Sequence, residues 1–194
     1  MNIETHPLTP FLPQNARFLL LGSFPPPKQR WKMDFYYPNY NNDMWRIMGL
    51  IFYGDKDYFI DIQNKKFKQY EIQQFLQQQG IAISDTVYQA IRLKDNASDQ
   101  FLQVVQEQDI AQLLAQLPNC QHILTTGEKA TKTLLYHYGQ HGENKDVILP
   151  KIGQFVDVLI NHKTIKLHRL PSSSRAYPLA LEQKASYYQA VLKL

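Results

Sequence analysis

RFLLLGS, residues 17–23, decides the fold. Phe18 to Leu21 run without polar interruption, so a strand here must be covered on both faces, as the central strands of parallel sheets are. Gly22 closes the run, and Pro25, Pro26 and Pro27 cannot continue a hydrogen-bonded ladder. Three later stretches repeat the pattern: GIAISDT (80–86), HILTTG (122–127) and IKLHRLPSS (165–173). Helical spacing is predicted between them. DMWRIMGLIF (43–52) puts Met44, Ile47, Met48 and Ile51 on one face, and FKQYEIQQFLQQQ (67–79) stops at Gly80. SDQFLQVVQEQDIAQLLAQL (98–117) offers Ser98 as an N-cap, GEKATKTLLYHYG (127–139) follows a strand, and LALEQKASYYQAVLKL (179–194) closes the chain. Strands alternating with helices predict an α/β protein, a three-layer α/β/α sandwich around a central, mostly parallel four-stranded sheet, with residues 1–194 as a single domain. FVDVLINHKTIKLHRL (155–170) reads as a hairpin that adds a strand to it.

The 194 residues suffice for one sizeable core, and 44% hydrophobic content supports folding. No apolar run approaches the ~20 residues of a membrane span, and MNIETHPLTP lacks the basic and apolar regions of a signal peptide. A cytoplasmic monomer without a membrane partner is expected. The single cysteine, Cys120, excludes an internal disulfide and any four-cysteine metal site. His137 and His141 are four apart, but Gly139 intervenes and Glu143 is the only nearby carboxylate, so no metal and no cofactor is expected. A net charge of +4 permits a polyanionic partner without demanding one. The 12 tyrosines and two tryptophans suit base stacking beside basic residues, but composition alone favours their filling a core.

Ligands of such sheets bind beyond the carboxyl ends of the strands. The exits Gly22–Pro27, Ser84–Tyr88, Thr125–Lys129 and Pro171–Arg175 are therefore predicted to converge on one edge. Gly22, Ser23 and Phe24 bring backbone close to a ligand there, or merely end a strand. In YYPNYNNDMW (36–45), Asn42 or Asp43 caps the following helix, while a neutral amide also reads a base edge or orients water. Ser172, Ser173, Ser174 and Arg175 suit a phosphate, as does Lys129 near a helix start, although a polar turn needs the same residues. His168 fits a sheet interior more readily than a catalytic role.

In order, these segments resemble the uracil-DNA glycosylase superfamily. LLLGSFPP (19–26) looks like its first motif, a strand end of the Gly-x-Asn-Pro-Gly type. FYYPNYNNDMW (35–45) resembles the Asn-x-Phe-Trp signature of the hypoxanthine-type and mismatch-specific branches. GIAISDTVYQAIRLKDNASDQ (80–100) is similar to a Gly-Ile…Asp…Arg…Ser-x-Asp stretch of the former branch, and LPSSSRA (170–176) to the second catalytic motif with its wedge. The likeness spans residues 17–177. It departs where the family's polar water-handling residue is Phe24 and where the histidine before the motif's proline is Leu170.

The resemblance implies a monofunctional glycosylase. It would hydrolyse the N-glycosidic bond of a deaminated or damaged base, uracil or hypoxanthine in class, flipped out of DNA. Asn42 maps onto the surviving polar group, Tyr37 onto the aromatic that stacks on the base, and Met44 onto the signature's Phe. Gly22, Ser23 and Phe24 would face the base with Tyr37 and Met44, and His168 would be the fallback catalyst. Lys129, Ser172, Ser173, Ser174 and Arg175 would hold duplex DNA. Two further readings stay open: an inactive DNA-binding module on this fold, and an unrelated α/β enzyme acting on a free nucleotide or nucleoside.

Overall fold

The computed structural model describes residues 2–93, 99–140 and 147–194. In chain order these form β1 (Ile3–Thr5), β2 (Phe18–Gly22), α1 (Met44–Tyr53), β3 (Ile60–Asp61), β4 (Lys66–Phe67) and α2 (Gln69–Gln79). They continue with β5 (Ile81–Asp85), β6 (Val87–Arg92), β7 (Leu102–Glu107), α3 (Ile110–Ala115), β8 (His122–Thr126) and α4 (Glu128–Gln140). The hairpin β9 (Phe155–Ile160) and β10 (Lys163–Leu170) leads to α5 (Leu181–Leu192). Of the sequence-level candidates, Ser98, His141 and Glu143 lie outside the described residues. No helix among the described residues is long and apolar enough to cross a membrane.

The central sheet has the order β5-β2-β8-β10-β9. The first four strands are parallel, as expected, and the hairpin adds β9 as an antiparallel fifth strand at the edge. Phe18 and Leu20 pack among α1, α2 and α5, while Leu19 and Leu21 pack among α3 and α4. Two-sided burial is why β2 is apolar throughout rather than alternating. The register sets Gly22 beside Asp85 and Leu170 beside Thr126, so the four parallel strands end together at one edge. The glutamine-rich surface of α2 (Gln77, Gln78, Gln79) is solvated, and Gly80 ends that helix in the left-handed region.

One predicted helix is not formed. Residues 102–107 are a strand, β7, paired antiparallel with β6, and only 110–115 of the predicted 98–117 helix is α-helical. The β-branched pair Val104–Val105 and the alternating burial of β7 fit a half-covered strand. Asp109, capping Gln112 N at 2.9 Å, starts α3 afresh. β1, β6 and β7 make a small antiparallel sheet, and Val87, Ala90 and Leu102 form its buried cluster, with Phe24 packed against it. Arg92 grips Glu4 with a forked pair at 3.0 and 2.9 Å, holding β1 on β6.

His168 lies on the sheet face that carries Leu170, 4% exposed, with rings of His122 and Phe155 both 5.3 Å away. His122 Nδ1 and His168 Nε2, 3.0 Å apart, share one proton, so protonating both rings breaks the bond. Burial pushes His168 down to about 4, with His122 and Lys166 adding to the shift. Between the ordinary histidine value of 6.5 and about 4 the unfolded chain binds more protons, so stability is full above that window and falls as pH falls through it. The expected loss from His168 is on the order of 3 kcal/mol. Urea unfolding across that pH range checks this, and His168→Gln should show a shallower slope.

Candidate functional site

At the carboxyl edge of the sheet lies a cavity of about 120 Å³ with an open mouth. Its floor is the strand exits Gly22, Asp85, Thr126 and Ser172, which converge as the sequence predicts. Its wall is the long aromatic loop, contributing Tyr37, Pro38, Asn39, Asn41 and Asn42. The loop is ordered by internal bonds. Trp31 Nε1 donates to Pro26 O at 2.7 Å, Lys32 N to Pro38 O at 2.9 Å, and Trp45 Nε1 to Tyr36 O at 3.1 Å. The buried Arg46 guanidinium donates to Tyr40 O at 2.9 Å and Asn42 O at 3.3 Å. Three side chains and one backbone N–H thereby offset the entropy of ordering a segment that builds little helix or sheet.

Gly22 is needed because polar groups crowd its α-carbon. A methyl there would collide with Asp85 Oδ1 and stand 3.0 Å from the Tyr37 hydroxyl. Tyr37 sits at φ +53°, a conformation costly for a bulky residue. Its hydroxyl meets Thr126 Oγ1 at 2.8 Å and its ring meets Trp45 edge-on at 6.3 Å. Gly127, at φ +101°, sets α4 against Ser172.

Asp85 is the one carboxylate lining the cavity among the described residues. His6 Nε2 lies 2.9 Å from Asp85 Oδ2, both side chains under a tenth exposed. The His6 ring stacks on Tyr36 at 5.8 Å and meets Phe24 edge-on at 5.4 Å. The β1–β6 pairing, continued by His6 N donating to Tyr88 O at 2.8 Å, delivers this histidine from the start of the chain. Burial, and then the Asp85 charge, push the Tyr36 hydroxyl up from its ordinary value.

The sequence offers Asn42 as a helix cap or as a group that faces a ligand, and the structure places it in the cavity lining. The N-cap position itself is Asp43, whose side chain makes no cap bond, while Asn42 Oδ1 accepts from Met44 N at 2.9 Å, satisfying a free N–H at the start of α1. That bond fixes the amide orientation, so Nδ2 faces the other way, and it has no partner among the described residues. The Phe24 backbone N–H is likewise unpaired among them, whereas Gly22 O is taken by Thr86 N and Oγ1.

Ser172, Ser173 and Ser174 also line the cavity. Asp43 N donates to Ser173 O at 2.9 Å, and Asn42 bridges Ser174, so the serine turn is stitched to the start of α1. Lys129 and Arg175 border an adjoining groove, but both are engaged. Lys129 Nζ donates to Leu102 O at 3.0 Å, and Arg175 Nε to Asp43 Oδ1 at 3.2 Å.

Of the candidates for the base and its chemistry, two do not reach the cavity. Met44 is fully buried in the core under α1, because the first helical turn points it inward, and His168 lies among aromatic neighbours on β10. Sequence reasoning placed Asp85 at this edge without assigning it a role and passed over His6 altogether. The polar ending of the ISDT strand was the available signal for Asp85, and nothing local marks His6 as its partner.

No protein-family model matches the chain, and no curated protein matches its sequence. Among solved structures the chain is similar to the solution NMR structure of a protein described as a "putative uracil DNA glycosylase" from Methanosarcina acetivorans. The TM-score is 0.62 at 22% identity, over 99% of this chain and 98% of that one. The two proteins share the same fold from end to end.

Proposed function

We propose that the protein is a DNA glycosylase that hydrolyses the N-glycosidic bond of a deaminated base flipped out of DNA. The cavity at the sheet edge carries this reading. At about 120 Å³ it is close to the ~150 Å³ cavity that accepts a benzene-sized ring. Pockets for whole small-molecule ligands run to about 300 Å³ and more. A base enters, while its sugar and phosphates stay at the mouth, which disfavours an enzyme for free nucleotides. The fold shared with the M. acetivorans protein supports the same class.

The polar groups suggest which bases fit. Asp85 presents an acceptor to the ring edge. Deamination turns an amino group into a carbonyl and moves a hydrogen onto the adjacent ring nitrogen, as in uracil, hypoxanthine and xanthine. Cytosine and adenine keep a lone pair there, which a carboxylate repels. Asp85 thus selects against cytosine and adenine, and His6 holds its other oxygen. Charge stabilisation falls to donors. The Asn42 Nδ2 and the Phe24 N–H meet the negative charge that builds on the departing base, and preorganised donors of this kind lower barriers without reorganisation. Water adds its oxygen to C1′ and the base leaves with a proton. Tyr37 walls the cavity as a stacking surface. Ser172 to Ser174 flank the mouth where the phosphates pass. Extruding the base costs a few kcal/mol, least for a mispaired one.

The test is a panel of labelled duplexes carrying uracil, hypoxanthine, xanthine, cytosine or adenine at one position, treated with protein and then alkali. Strand cleavage confined to the deaminated bases is expected, with Asp85→Ala reducing the discrimination. No cleavage at any of them would refute the proposal.

A further inference from the structure

We propose that a second groove, lined by Arg30, Lys32 and Lys65, binds the phosphates of the DNA strand flanking the extruded nucleotide. The inference rests on the glycosylase reading for the identity of the polyanion, but its location comes from charge accounting around the cavity.

Lys129 and Arg175 are the cations that sequence places at the strand ends, and both already donate within the protein. Their groove also contains Glu128, which pairs with Lys132 and Arg169. That side of the mouth is largely neutralised. Next to the Lys129–Arg175 groove, and sharing Arg30, Asn39 and Asn41 with it, a groove of about 490 Å³ is lined by Arg30, Lys32, Asn39, Tyr40, Asn41 and Lys65. Its three cationic side chains are exposed and make no ion pair or hydrogen bond with any described residue. Asp34, the acidic group nearest Arg30 and Lys32 in sequence, is neutralised by Lys28, and Asp61, the one nearest Lys65, accepts from Asn64 and faces the charge of Lys68.

The groove is continuous with the site. Asn39 and Asn41 border it and also line the base cavity, and Arg30 borders both it and the Lys129–Arg175 groove. Asn39 and Asn41 thus form a saddle, with the base cavity on one side and unpaired positive charge on the other. The elements bearing that charge are braced. Lys28–Arg30 form a 3₁₀ turn, Trp31 pairs with Asn39, and Lys65 sits in the tight β3–β4 turn at φ +49°. Three unpaired cations around a concave path, with amides between them, match the backbone of a nucleic-acid strand, whose phosphates supply most non-specific affinity.

The experiment is fluorescence anisotropy with a duplex containing one deaminated base, for the wild type and for Arg30→Ala/Lys32→Ala/Lys65→Ala, over a salt series. A control, Arg17→Ala/Lys163→Ala/Lys166→Ala, removes equal charge at the opposite end of the sheet. For every phosphate that the groove no longer neutralises, the slope of log affinity against log salt should fall by about 0.9. Between about 50 and 200 mM salt, the wild type should therefore lose up to about 40-fold more affinity than the groove variant. The control should keep the wild-type slope. All six positions are surface or strand-end groups, and matching thermal melts would confirm that each variant is folded. A groove variant with wild-type affinity and slope, on a protein that binds and excises, overturns the groove while leaving the glycosylase reading intact. A wild type that shows no salt-dependent binding overturns both.

Discussion

Asn42→Ala is expected to lower turnover on a deaminated base by on the order of 100-fold, the effect of losing one positioned donor. It should also cost ~1 kcal/mol of stability, because Oδ1 caps the Met44 N–H. The two effects come from opposite ends of one amide and separate cleanly in Asn42→Asp. An aspartate keeps the acceptor for Met44 and places negative charge at a helix start, which is favourable. It offers no N–H to the cavity. Asn42→Asp should therefore melt at or above the wild-type temperature and be as impaired in single-turnover excision as Asn42→Ala. An aspartate variant that excises at the wild-type rate would reduce Asn42 to a helix cap.

Lys184→Met is expected to produce the largest loss of stability, about 3 kcal/mol. Lys184 is 1% exposed, and its ammonium donates to Asp43 Oδ2 at 3.0 Å and Ser174 O at 2.7 Å. Methionine fills the space and leaves the buried carboxylate with Arg175 alone. Replacing both charges in Asp43→Asn/Lys184→Met should recover much of the loss, since removing one buried partner is worse than removing the pair. The ammonium also ties the serine turn of β10 to the start of α1, so its loss should loosen the cavity wall. Denaturant titration of the single and double variants measures the coupling, and a single variant as stable as the wild type would contradict it.

The central strands were legible because burial on both faces leaves an unbroken apolar run, as in Phe18–Leu21. Helices α1 and α2 were legible from one-sided spacing and, for α2, the stop at Gly80. β7 was not, because LQVVQE becomes a strand only through pairing with β6, and helical spacing in its neighbourhood pointed elsewhere. The same limit governed the site. Asn42 could be read from its place before a helix. His6 and Asp85 are 79 positions apart and meet only because β1 pairs with β6. Lys129 and Arg175 were legible as cations near strand ends, but their engagement by Leu102 O and Asp43 depends on tertiary contacts. Met44 falls beside the loop in sequence and under the helix in space, since one residue past the cap the chain has already turned inward.

The central claim is that the cavity receives a base and the protein cuts the bond that joins it to the sugar. Mass analysis of the small products released from a duplex with a single hypoxanthine or uracil tests it most directly. Free base with an abasic strand of otherwise unchanged length is expected. An intact duplex, or release of a nucleoside or nucleotide, would contradict the claim.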